Sequence, residues 1–188
     1  MTALADFFLA KASGRNVLLC LALIVLSVLI FNLVLTPIYQ SVSAGFVPFD
    51  LQFPLSQEMI VIQLGAMTPA TPRAYLNFAV LDFAFPLFGA AFFILLWAWL
   101  VNKSTSGALR GVYRRGWWIW ALFPAVCDLA ENVAFLSILF SHPIILPDTL
   151  EFAIDVHRGK MVFMAIAQAI TVAVVLAAGI AYLRRPRA

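Results

Sequence analysis

The sequence predicts an all-α integral membrane protein, with four transmembrane helices in a single bundle and an exterior apolar loop of about 35 residues between spans 1 and 2. Three observations carry this expectation. Hydrophobic residues make up 64% of the 188 and charged residues 11%, with a mean hydropathy of +0.99. A soluble domain has about 25% charged residues, so this chain has too few to cover a water-facing surface. Second, four runs approach the roughly 20 apolar residues that a membrane helix needs. Third, Lys and Arg segregate to one set of flanks, as topology selection requires.

Span 1 covers about residues 16–39, and no charge occurs between Arg15 and Asp50. It is too long for a signal-peptide core and no small-residue cleavage site follows it, so no cleaved leader is expected. Span 2 covers about 75–101 and is interrupted by Asp82. Span 3 covers about 117–140 and holds Asp128, Glu131 and Asn132. Span 4 covers about 160–182 and is charge-free after Lys160. Pro86 and Pro124 are expected to kink spans 2 and 3, because proline removes a helix hydrogen bond. The whole chain, 1–188, reads as one transmembrane domain.

One set of flanks holds Lys11, Arg15, Lys103, Arg110, Arg114, Arg115, Arg184, Arg185 and Arg187; the other holds Arg73, Arg158 and Lys160. Nine basic residues against three place both termini and the 102–116 loop in the cytoplasm, in a plasma membrane or bacterial inner membrane. That loop reads as a flexible connector. Trp97, Trp99, Trp117, Trp118 and Trp120 fall where an interfacial aromatic belt belongs. The opposite side collects Asp50, Glu58, Asp148, Glu151 and Asp155. The basic residues are accounted for by topology, so no nucleic-acid partner is expected.

The exterior segment, 40–74, is apolar for a water-facing connection, running through Phe46, Phe49, Phe53 and Met59–Ile62. Ser56 can start a short helix ending at Gly65, and Thr71-Pro72 provides a cap and first-turn proline for span 2. The segment is either an interfacial helix on the outer leaflet or a lid over a cavity.

Ionisable side chains within a span are costly and call for partners or a purpose. Asp128, Glu131 and Asn132, at spacings of three and four, share one face of span 3. Tyr75 and Asp82 share a stripe on span 2, and His157, Lys160 and Gln168 share one on span 4. These residues are expected to converge in a polar chamber opening to the exterior, with Arg73 and Arg158 at its rim. Asp82, Asp128 and Glu131 are the candidate catalytic carboxylates, with at least one of Asp128 and Glu131 expected to keep its proton near neutral pH. Asn132, Lys160, Arg158, Gln168, Arg73 and Tyr75 are the candidate substrate-binding residues. His142 and His157 read as interfacial.

No cofactor and no metal are expected. Cys20 and Cys127 lie inside apolar runs without a C-x-x-C pair or matching histidines. The Glu-x-x-His repeat of di-iron bundles and phosphate-binding glycine loops are missing. The leading function is an acid–base enzyme or binding protein for a membrane lipid or small hydrophobic molecule. The alternative is an accessory subunit whose polar stripe faces another membrane protein, and the third is proton- or ion-coupled transport. Carboxylates facing one internal pocket favour the first reading; carboxylates facing outward favour the second.

Overall fold

The computed structural model describes residues 2–104, 106–144 and 146–183. Arg184, Arg185 and Arg187, counted above for orientation, lie outside the described residues. All regular structure among the described residues is helical. Four helices, Gly14–Val42, Thr71–Lys103, Trp117–Ser141 and Pro147–Leu183, are long and apolar enough to cross a membrane. The fold divides into two compact units. The first comprises the chain up to Leu23, Leu87–Ala125 and the chain from Met161; the second comprises Ile24–Pro86 and Val126–Lys160.

In the first unit, helix α1 (Thr2–Lys11) precedes α2 (Gly14–Ile30). Ala5 and Leu9 of α1 join a core with Trp97, Ala98, Val101, Tyr113, Trp118 and Ala167. The 102–116 connection is not a loose linker. It folds as α6 (Gly107–Arg114), capped by the Ser106 side chain, which accepts a hydrogen bond from the Leu109 amide at 3.3 Å. Asn102 Nδ2 donates to the Leu9 carbonyl at 2.7 Å, and Arg114 Nε donates to Asp6 Oδ1 at 2.8 Å. Trp97 and Trp118 are core residues rather than members of a belt, since both are buried, while Trp117 and Trp120 are exposed. Trp97 Nε1 donates to Thr171 Oγ1 at 2.8 Å, giving the buried indole the partner it needs.

The span-1 helix changes winding at Phe31–Leu35, a π-turn between α2 and α3 (Thr36–Val42). Pro37 has no N–H to donate to the carbonyl four residues back. The Thr36 amide reaches Phe31 instead, five residues back, and the turn widens.

In the second unit, the 43–70 segment folds onto the long helices. The helix expected after Ser56 is present as α4 (Gln57–Gly65), with Ser56 Oγ accepting from the Met59 amide at 3.2 Å. Phe49, Leu55, Ile60 and Leu64 are buried with Tyr39, Tyr75, Phe135, Ile138, Leu150 and Ile154. Gln63 is fully buried and donates to Tyr39 Oη at 2.7 Å and to the Val47 carbonyl at 3.0 Å. Gln52 donates to the same carbonyl at 2.9 Å. These bonds satisfy backbone and amide groups that would otherwise be costly to bury. Thr71 does not act as a simple cap for α5 (Thr71–Lys103): its hydroxyl donates to the Val42 carbonyl and accepts from the Thr68 amide, tying the ends of the segment together.

Two expectations about helix geometry are corrected. Pro124 is the third residue of α7 (Leu122–Ser141), in the first turn, where a missing N–H breaks no helix hydrogen bond. The last helix, α8, begins at Pro147 and not near Lys160. Its exposed face carries Asp148, Glu151, Asp155 and Arg158, which end the hydropathic run. Its other face, Leu150, Ala153, Ile154, His157 and Lys160, is buried at spacings of three and four.

Candidate functional site

The second unit brings charged residues from four segments into one buried cluster. Helix α7 supplies Asp128, Glu131 and Asn132; α8 supplies His157 and Lys160; α5 supplies Tyr75 and Asp82; the 43–70 segment supplies Asp50. All eight are buried, with Glu131 at 0% exposure and His157 at 2%.

Lys160 is the hub. Its Nζ lies 2.9 Å from Asp128 Oδ1 and is also in ion-pair contact with Glu131 Oε2. The three-residue spacing on α7 lets one ammonium bridge both carboxylates. The other Glu131 oxygen, Oε1, lies 2.6 Å from His157 Nδ1. A carboxylate only accepts hydrogen bonds, so the ring nitrogen is the donor. A buried Asp–Lys–Glu–His chain results.

The buried stripe of α8 carries His157 against Glu131. His142 is exposed. Lys160 supplies a basic group beside Asp128 and Glu131 and contacts both.

Asp50 and Asp82 form the second half of the cluster. Tyr75 Oη donates to Asp50 Oδ2 at 3.1 Å. Asp50 Oδ1 and Asp82 Oδ2 have no hydrogen-bond partner, nor have Asn132 Nδ2 and His157 Nε2. Asn132 lies within interaction range of the Asp82 carboxyl. Burial and the neighbouring Asp82 and Glu131 hold the Asp50 carboxyl well above the usual carboxylate range, against the opposing pull of Lys160.

Because its folded value is raised, Asp50 stabilises the fold most below its unfolded pKa, about 4, and that contribution is lost as pH rises toward the folded value. Asp50→Asn is therefore expected to flatten the decline in unfolding free energy above pH 4. Unfolding titrations of both proteins across pH 4–8 check this; parallel curves would contradict it.

The remaining candidates stay outside the cluster. Arg73 and Arg158 are exposed, and Arg158 Nη1 is 3.6 Å from Asp155 Oδ1 on its own helix. Gln168 belongs to the first unit and is exposed, so it is no part of this site. The sequence placed His157 on the polar stripe of span 4 without giving it a catalytic role, and it did not place Asp50 in the cluster at all. Among the described residues, no group of three His, Cys, Asp or Glu side chains is arranged to hold a metal ion.

An apolar cavity of about 660 Å³ in the same unit is lined by Phe46, Val47, Leu51, Gln52, Phe53 and Met59 among others. The Phe53 ring is 6.4 Å from the His157 ring. Phe53 thus faces both the cavity and the imidazole. The chain matches no family model, no curated protein and no solved structure, so the residues themselves carry the functional argument.

Proposed function

We propose that this protein is a four-span integral membrane enzyme that performs acid–base chemistry on a small hydrophobic or lipid molecule entering from the outer leaflet. The observation that carries the proposal is the Glu131–His157 pair. Glu131 Oε1 holds Nδ1 at 2.6 Å, and Nε2 is buried and unpartnered. A carboxylate that fixes one ring nitrogen orients the imidazole and stabilises the imidazolium that forms when the other takes a proton. Nε2 is the atom that would take that proton and return it. Lys160 fixes the Glu131 carboxylate and ties it to Asp128. Asp82 and Asn132 orient the substrate's polar group.

Orientation rests on the basic flanks, with both termini and the 102–116 connection in the cytoplasm. The apolar stretch of α8 from Met161 to Tyr182 has 22 residues, about 33 Å at 1.5 Å per residue, enough for the hydrocarbon core. The preceding turns expose Asp148, Glu151, Asp155 and Arg158, which do not face hydrocarbon. His157 and Lys160, on those turns, therefore lie at the outer boundary of the bilayer. An amphiphile in the outer leaflet already has its polar group at this depth.

The burial of Asp82, Asp128 and Glu131 within a single chain favours an enzyme over an accessory subunit, because no partner is needed to cover them.

The test is isotope incorporation. Protein in nanodiscs of a natural polar-lipid extract is incubated in D2O or in H2 18O buffer, and the lipids are analysed by mass spectrometry. At least one lipid species is expected to gain isotope with the wild type and not with His157→Asn. No difference between the two proteins in either buffer would overturn the acid–base reading.

A further inference from the structure

Arg73 lies outside the buried cluster, yet it is not an isolated surface charge. It is exposed, and among the described residues no ion pair or hydrogen bond occupies its guanidinium. It lines a cavity of about 530 Å³ together with Ile38, Val42, Ala70, Ala74 and Asn77, all in the second unit. Arg73 is the one charged residue among those that line this cavity.

The walls are held in place by the chain itself. Thr68 Oγ1 donates to the Val42 carbonyl at 2.9 Å, and the Thr71 hydroxyl donates to the same oxygen. The end of α3 is thereby tied to the start of α5, so the groove between them is preformed and a ligand does not have to order it.

The groove also has a polar order. Arg73 and Asn77 are four residues apart on α5, so they share a face and stand about 6 Å apart along the helix at 1.5 Å per residue. In the orientation proposed above, α5 enters the membrane from the exterior, which puts Arg73 outermost and Asn77 one turn deeper. Val80, exposed and apolar, follows on α5, and α3 offers the exposed side chain of Ile38. A glycerophospholipid in the outer leaflet presents its groups in the same order: phosphate, ester carbonyl, acyl chain. A guanidinium binds phosphate through paired N–H donors. An amide N–H donates to a carbonyl. No carboxylate lines the cavity, so an ammonium headgroup finds no partner there, whereas a headgroup of net negative charge is matched by Arg73.

We infer that this groove binds one anionic glycerophospholipid of the outer leaflet, with its phosphate on Arg73, an ester carbonyl on Asn77 and an acyl chain along Ile38 and Val80. The inference rests on the proposed membrane orientation and not on the acid–base chemistry.

The test is native mass spectrometry of the full chain in dodecylmaltoside micelles, titrated with phosphatidylglycerol, phosphatidylcholine or inorganic phosphate. One phosphatidylglycerol is expected to bind about tenfold more tightly than phosphatidylcholine, the scale of one charged interaction. Inorganic phosphate, which lacks the chain, should not displace it. Arg73→Gln should lower the affinity for phosphatidylglycerol to that for phosphatidylcholine, and Arg73→Lys should keep part of the difference. Ala70→Trp, which fills the groove, should weaken both lipids alike. Arg73 and Ala70 are exposed, so these variants are expected to fold, and circular dichroism checks this. Phosphatidylglycerol bound no more tightly than phosphatidylcholine, or a folded Arg73→Gln protein that keeps the preference, would overturn the inference. Displacement of the lipid by inorganic phosphate would overturn it as well, since the groove would then hold a free anion. A lipid preference that depends on Arg73, without isotope incorporation, would sink the acid–base reading alone. Isotope incorporation without that preference would sink this inference alone.

Discussion

Lys160→Met is expected to destabilise the protein by about 3–5 kcal/mol, the usual cost of removing one partner from a buried ion pair. The ammonium faces Asp128 at 2.9 Å and also contacts Glu131, so its loss strands two carboxylates at once. All three side chains are close to fully buried, so solvent screening does not discount the effect. Methionine fills most of the space, which separates the loss of charge from the loss of volume. Adding Asp128→Asn and Glu131→Gln to Lys160→Met should recover much of the stability, because it removes the stranded charges. Reversible unfolding in mixed SDS and dodecylmaltoside micelles measures both. A Lys160→Met protein as stable as wild type would mean that the cluster is not held by this ion pair.

The second large effect concerns Glu131. Replacement by glutamine is expected to lower the isotope-incorporation rate by about 100-fold to 10,000-fold, the range for losing an acid–base group or its correct tautomer. The amide no longer carries the charge that stabilises an imidazolium on His157. From the sequence alone, Glu131→Gln looks nearly neutral for folding, because a protonated acid resembles an amide. The structure gives a different expectation. Glu131 Oε2 contacts the Lys160 ammonium, and an amide nitrogen in that place would set donor against donor. Loss of stability is therefore expected beside loss of rate. Initial rates on folded, gel-filtered protein distinguish the two. A folded Glu131→Gln protein with the wild-type rate would remove Glu131 from the chemistry.

The four long apolar helices were legible because hydropathy over about 20 residues is a strong signal, and α4 because Ser56 is a good cap residue. The α7 face was legible from the spacing of Asp128, Glu131 and Asn132. The start of α8 was not. Charges at Asp148, Glu151, Asp155 and Arg158 lowered the hydropathy of a stretch whose opposite face is buried. Helical periodicity, through Leu150, Ala153, Ile154 and His157, was the signal that could have found it. Asp50 had no such signal. It sits in the short 3₁₀ turn Phe49–Leu51 of an irregular segment, and no helical spacing places a loop residue beside Tyr75. Gln168 shows the converse: it keeps the stripe of α8, but two further turns carry it into the other unit.

The pairing of Glu131 with His157 Nδ1 is the centre of the functional reading, and the ring's tautomer tests it most directly. Solid-state NMR of 15N-histidine-labelled protein in lipid bilayers at pH 9, where an ordinary imidazole is neutral, reports which nitrogen carries the hydrogen. His142→Gln isolates the signal of His157, since the chain has two histidines. The expected result is hydrogen on Nδ1, a bare Nε2, and loss of this preference in Glu131→Gln. Hydrogen on Nε2 with a bare Nδ1 would contradict the pairing, and with it the assignment of Nε2 as the atom that takes the proton.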